Sequence, residues 1–78
     1  MTAEALEKLP IEDVSDALGR HAECDWGLLS TPDWDAMNEA VETGGRIWSA
    51  HSDRNDLTFW IITEADRKTT TVLLPGNY

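Results

Sequence analysis

The side chains best suited to chemistry in this chain are two histidines, one cysteine and fifteen carboxylates. His21-Ala22-Glu23-Cys24 gathers an imidazole, a carboxylate and a thiol within one short stretch. An H-x-E of this kind serves a zinc deaminase only when a P-C-x-x-C supplies two further thiolates, and Cys24 is the sole cysteine. His21 and Cys24 could still begin a metal site, with Asp25 or the remote His51 completing it. The plainer reading is a half-buried cysteine beside a surface histidine. A nucleophilic triad needs a nucleophile held on a strained turn and a base fixed beside it, and nothing here supplies either. Gly44-Gly45 lacks the lysine and the following helix of a phosphate loop and reads as a helix stop. The expectation is therefore a chain that is not an enzyme and needs no cofactor.

The carboxylates are the remaining candidates. Against 15 Asp+Glu stand 6 Lys+Arg, a net charge of −9, which argues against neutralising nucleic-acid phosphates or anionic lipid. Residues 1–45 hold eleven acids and two bases, whereas residues 46–78 hold four of each. The excess charge thus belongs entirely to the first half, and a one-sign surface steers partners of the other sign. Asp35, Glu39 and Glu42 recur at i, i+4 and i+7, with Asp33 just ahead of them. Glu12, Asp13 and Asp16 form a similar row. On helices such carboxylates stand ~5–7 Å apart, roughly the spacing of phosphates along a nucleic-acid strand. A solvated, solubilising face is the bland alternative. The sharper one is that Glu12, Asp13, Asp16, Asp33, Asp35, Glu39 and Glu42 pair with Lys and Arg in a basic groove built for DNA.

Elements must position these rows. Residues 3–8 allow a short helix, stopped before Pro10. A second runs from Ile11 to about His21 with Ile11, Val14 and Leu18 as its apolar stripe and Arg20 within reach of Asp16. A third begins at Thr31 as N-cap with Pro32 in the first position, buries Trp34, Met37 and Val41, and ends at Gly44. Beyond Gly45 the residues become strand-like: 46–51, 57–63 and 69–74 read as three strands joined by polar turns. Leu57, Phe59 and Ile61 alternate with Thr58, Trp60 and Ile62, as a central strand requires. The expected fold is α+β: two to three N-terminal helices, then a three-stranded antiparallel meander with one face under the helices, in a single domain over 1–78. Trp34 and Trp60 are expected in the core, with Trp26 and Trp48 unassigned. Arg46 beside Trp48, and Arg67 with Lys68, are the only bases near aromatics, too few for a single-strand binder.

Residues 45–50 (GRIWSA), 60–67 (WIITEADR), 70–75 (TTVLLP) and Tyr78 resemble a group of small bacterial proteins carried on plasmids, phages and other mobile DNA. Some of that group carry a restriction-system subunit label that so short a chain does not justify. LGRH at 18–21 followed by DWG at 25–27 belongs to the same pattern, so the resemblance spans about residues 18–78. It implies a mobile-element setting and carries over no catalytic residue. The chain start has neither the cationic nor the apolar region of a signal peptide, and Phe59–Ile62 is far short of the ~20 apolar residues a membrane span needs. A bacterial cytoplasmic protein without disulfides is expected, a monomer or weak dimer. Its expected partner is a host defence complex with a basic nucleic-acid groove, of the type I CRISPR surveillance or restriction class. The competing expectation is an interaction module of the mobile element that acts through its sheet edges or by dimerising.

Overall fold

The computed structural model describes residues 1–77 and has three helices followed by a three-stranded antiparallel sheet. The elements are α1 (Ala3–Lys8), α2 (Ile11–Ala22), α3 (Thr31–Thr43), β1 (Ile47–Ser52), β2 (Thr58–Thr63), β3 (Thr70–Leu73) and a terminal 3₁₀ turn at Pro75–Asn77. The sheet order is β1-β2-β3. Ser49 faces Ile61 and His51 faces Phe59 across the first pair, and Ile61 faces Val72 across the second.

Alternation along the strands makes two unlike faces. One carries Ser49, His51, Phe59, Ile61 and Val72 and lies under α1 and α2. Ala5, Leu9, Val14, Ala17, Phe59, Ile61, Val72 and Leu74 form the core there. Phe59 and Ile61 are fully buried, and each such side chain stabilises by about 1.5–3 kcal/mol relative to exposure. The other face carries Trp48, Trp60, Ile62 and Leu73.

The buried stripe of α2 is Val14, Ala17 and His21. It replaces the expected Ile11-Val14-Leu18, because Ile11 is 63% and Leu18 37% exposed. Small Ala17 lets the helix lie close to the sheet, and His21 brings a ring whose two nitrogens find partners below. Helix α3 departs further from expectation. Ser30, not Thr31, is its N-cap, and its hydroxyl donates to Asp33 at 3.0 Å instead of accepting from the helix. No residue of α3 is buried; Trp34 and Met37 are half-buried and Val41 is exposed. The helix lies along the outer edge of β1 rather than over a sheet face. The Trp48 amide, on that edge, donates to the Met37 sulfur at 3.2 Å.

Next to this contact the segment 26–28 closes the rest of the edge. Ala50 N–H donates to Trp26 O, and Leu28 N–H donates back to Ala50 O at 2.7 Å. Gly27, at φ 68°, makes this approach possible, since any Cβ there would strike Ala50 O and the His51 ring. Gly44 ends α3 in the left-handed conformation, φ 82°, as expected. Arg67, from the β2–β3 turn, donates to Gly45 O at 2.6 Å and Ala40 O at 3.4 Å. A cation thus reaches the C-terminus of a helix that has no basic residue in its own last turn.

Candidate functional site

The helical acids turn away from the core. At 100° per residue, Asp35, Glu39 and Glu42 fall on the side of α3 opposite Met37, and all three are exposed. Asp33 is exposed and accepts from Ser30. Glu12 and Asp16 are exposed on the side of α2 opposite Val14.

Asp13 is different. It accepts from the Arg54 amide at 2.9 Å and from the Arg54 guanidinium at 3.0 Å through Nε and Nη2. Glu12 adds a looser contact at 3.7 Å. The Arg54 guanidinium and amide hold the Asp13 carboxyl below its ordinary 3.8. Two of the seven candidate carboxylates are therefore engaged in clamping α2 to the β1–β2 hairpin. The other five, Asp16, Asp33, Asp35, Glu39 and Glu42, leave their outer sides to solvent. Arg20 pairs with Asp25 at 2.8 Å rather than with Asp16.

The histidine and cysteine chemistry is arranged differently from the sequence reading. His21 is buried, not superficial, and Cys24 is exposed, not half-buried. His21 Nδ1 lies 2.7 Å from Ser49 Oγ, and His21 Nε2 lies 2.9 Å from Thr63 Oγ1. His51 Nε2 reaches the same Ser49 oxygen at 2.9 Å, and Thr63 Oγ1 reaches Thr70 Oγ1 at 2.9 Å. Burial, and secondarily the neighbouring His51, lowers the His21 pKa below its ordinary 6.5. Burial, and then Arg20, lowers that of His51, with Asp25 opposing.

With both rings neutral, the proton positions follow. His51 Nδ1 has no hydrogen-bond partner among the described residues, and an orphan acceptor costs less than an orphan N–H. His51 therefore donates from Nε2 to Ser49, Ser49 donates to His21 Nδ1, His21 Nε2–H donates to Thr63, and Thr63 donates to Thr70. Every hydroxyl in this one-way chain is used. Ser49 is fully buried, so its hydroxyl serves this internal network. Both His21 nitrogens are occupied, and among the described residues no group of three or more His, Cys, Asp or Glu is placed to hold a metal ion.

The tryptophans divide into two pairs. Trp26 is fully buried, donates to Asn38 Oδ1 at 2.9 Å and packs edge-on against His21 with centroids 5.6 Å apart. Trp34 donates to Gly27 O at 3.3 Å. Together these bonds fasten α3 to the segment 26–28. Trp48 and Trp60 sit on the sheet face opposite the Phe59–Ile61 core, with centroids 5.3 Å apart. Trp60 is half-buried there, not in the core as expected. With Met37, Arg46 and Ile62 the two rings line a depression of about 490 Å³. Arg46 pairs with Glu64 at 3.4 Å, while Asp66 accepts from the Lys68 amide and shapes the turn. Local sequence gave no signal for the depression, because it needs Met37 of α3 beside strands that follow it.

Among the described residues no helix is long and apolar enough to cross a membrane. In comparison with known proteins the chain matches no family model, no curated protein and no solved structure.

Proposed function

We propose that this chain is a non-enzymatic inhibitor from a mobile genetic element, acting in the bacterial cytoplasm on a host defence complex. Its acidic helices occupy a basic, nucleic-acid-binding groove of that complex, of the type I CRISPR surveillance or restriction class. The observation that carries the reading is α3: a helix that buries no residue and holds Asp35, Glu39 and Glu42 outward. A helix so placed contributes little to a core, whereas its outer row suits a lysine- and arginine-lined channel. Charge-steered docking of this kind is fast and weakens with salt.

The test is protection of DNA from binding by purified defence complexes at low and high salt. The wild-type chain blocks DNA binding at low salt and does so less well at high salt. Changing Asp35, Glu39 and Glu42 together to Lys abolishes the block while leaving the fold intact. Undiminished inhibition by that folded variant, or inhibition indifferent to salt, refutes the proposal. The second reading, a mobile-element interaction module, draws on the half-buried Trp48 and Trp60, whose rings line a depression of about 490 Å³.

A further inference from the structure

We propose that the cleft between the C-terminal ends of α2 and α3 binds a small organic acid, a carboxylate carried on an apolar body. The sheet face that holds Phe59 and Ile61 in the core continues to the cross-strand row Ile47, Thr63 and Thr70. That row floors a second depression, of about 470 Å³, with Leu18 of α2 and Val41 of α3 among its walls. These two apolar side chains stay 37% and 41% exposed, so neither contributes to the core. Small-molecule sites are typically cavities of roughly 300–1,000 Å³ with apolar walls and a few placed polar groups.

Two polar groups select the ligand. Arg67 lines the same cleft. Its Nη1 donates to Gly45 O and Glu64 O and its Nη2 to Ala40 O, which accounts for three of the five N–H donors of a guanidinium. Nε–H and one Nη2–H have no partner among the described residues, and Arg67 forms no ion pair with any of them. Arg54 holds the Asp13 carboxylate through that same pair of nitrogens, a fork that matches a planar carboxylate with two parallel bonds. Thr70 supplies the second group. The hydrogen-bond chain from His51 runs through Ser49, His21 and Thr63 and ends on Thr70 Oγ1. Thr70 accepts there, so its own O–H is left to donate outside the chain, and Thr70 lines the cleft. A cation and a spare O–H donor call for a negatively charged acceptor, while the apolar walls call for a hydrocarbon body.

Charge sets the strength. Residues 46–78, which supply Arg67 and Thr70, hold four acids and four bases, whereas the excess negative charge lies in residues 1–45. A local bidentate pair therefore holds the anion against a general repulsion. A ligand of about ten non-hydrogen atoms binds there with a dissociation constant of roughly 0.1–10 mM. The inference stands apart from the inhibitor reading, because none of Asp16, Asp33, Asp35, Glu39 and Glu42 is among the residues that line the cleft.

The experiment is an NMR titration of the full chain with phenylpropionate, up to about 20 mM. Phenylpropionamide serves as the uncharged comparison and acetate as the one without an apolar body. Saturable shifts are expected at Leu18, Val41, Arg67 and Thr70, with the amide about tenfold weaker than the acid and acetate weaker still. Arg67→Gln should weaken phenylpropionate about tenfold or more. Thr70→Val should weaken it about threefold to tenfold, while Thr70→Ser, which keeps the O–H, leaves it unchanged. The amide comparison uses the unaltered chain, so it decides even where a variant fails to fold. Amide and acid binding equally well, shifts that gather at Trp48 and Trp60 instead, or no saturation at the cleft overturns the proposal. So does a folded Arg67→Gln or Thr70→Val variant that binds like the wild type.

Discussion

Acidification from about pH 7.5 to about pH 5 should destabilise the fold through His21 and His51. Both rings are buried, 6% and 2% exposed, and both have folded pKa values below the ordinary 6.5. Above that value folded and unfolded chains alike hold them neutral, and stability does not change. Below it the unfolded chain binds protons that the folded chain refuses, so stability is lost as pH falls, until the lower folded values are reached. Each histidine contributes a slope of at most ~1.4 kcal/mol per pH unit, and the pair at most ~2.7.

The hydroxyl chain adds to the refusal. A proton on His21 Nδ1 removes the acceptor that Ser49 uses, and a second charge on His51 would face the first across one oxygen. Asp13 and Asp25 do not confuse this window, because both are held below 3.8 and their contribution is lost only in stronger acid. Urea unfolding followed by tryptophan fluorescence at several pH values measures the slope directly. His21→Gln and His51→Gln should each remove about one proton's share, and the double variant should be nearly flat between about pH 5 and about pH 7.5. A flat wild-type profile, or a double variant as steep as wild type, refutes the buried neutral pair.

Gly27→Ala should cost about 2–4 kcal/mol, from left-handed strain and the hydrogen bonds to Ala50 that its Cβ would part. Gly45→Ala, whose Cβ would meet only ordinary contacts, should be tolerated; urea midpoints compare the two. Asn38→Ala leaves the buried Trp26 N–H without its acceptor and should cost about 1–3 kcal/mol, with Asn38→Asp milder because an acceptor remains. Arg54→Ala should return the Asp13 carboxyl toward 3.8, and a carboxyl titration by NMR that shows no change would mean the clamp is absent in solution.

The sheet was legible in the sequence because β-branched and aromatic residues fill 58–63, and turn residues bracket the strands. Helix spans were legible from caps and proline. Orientation was not. Leu18 outranks His21 in apolarity, but the partners that make His21 a core residue, Ser49 and Thr63, lie 28 and 42 positions away. Trp34, Met37 and Val41 do form a stripe, yet β1 presents them with an edge rather than a face, and no local window encodes that choice. The outward direction of Asp35, Glu39 and Glu42 followed from helical angle alone. The engagement of Asp13 did not, since Arg54 is 41 residues distant. The Trp48–Trp60 depression was hidden for the same reason.

Because α3 is fastened by a handful of polar ties and buries none of its residues, it is separable from the rest of the domain. Parting the Asn38–Trp26, Trp34–Gly27, Met37–Trp48 and Arg67 bonds would release it without opening the Phe59–Ile61 core. Its amides should therefore exchange with solvent through a local opening well below the global unfolding free energy, while those of β2 wait for global unfolding. Asp35, Glu39 and Glu42 therefore ride on the element expected to open first, while the sheet stays closed.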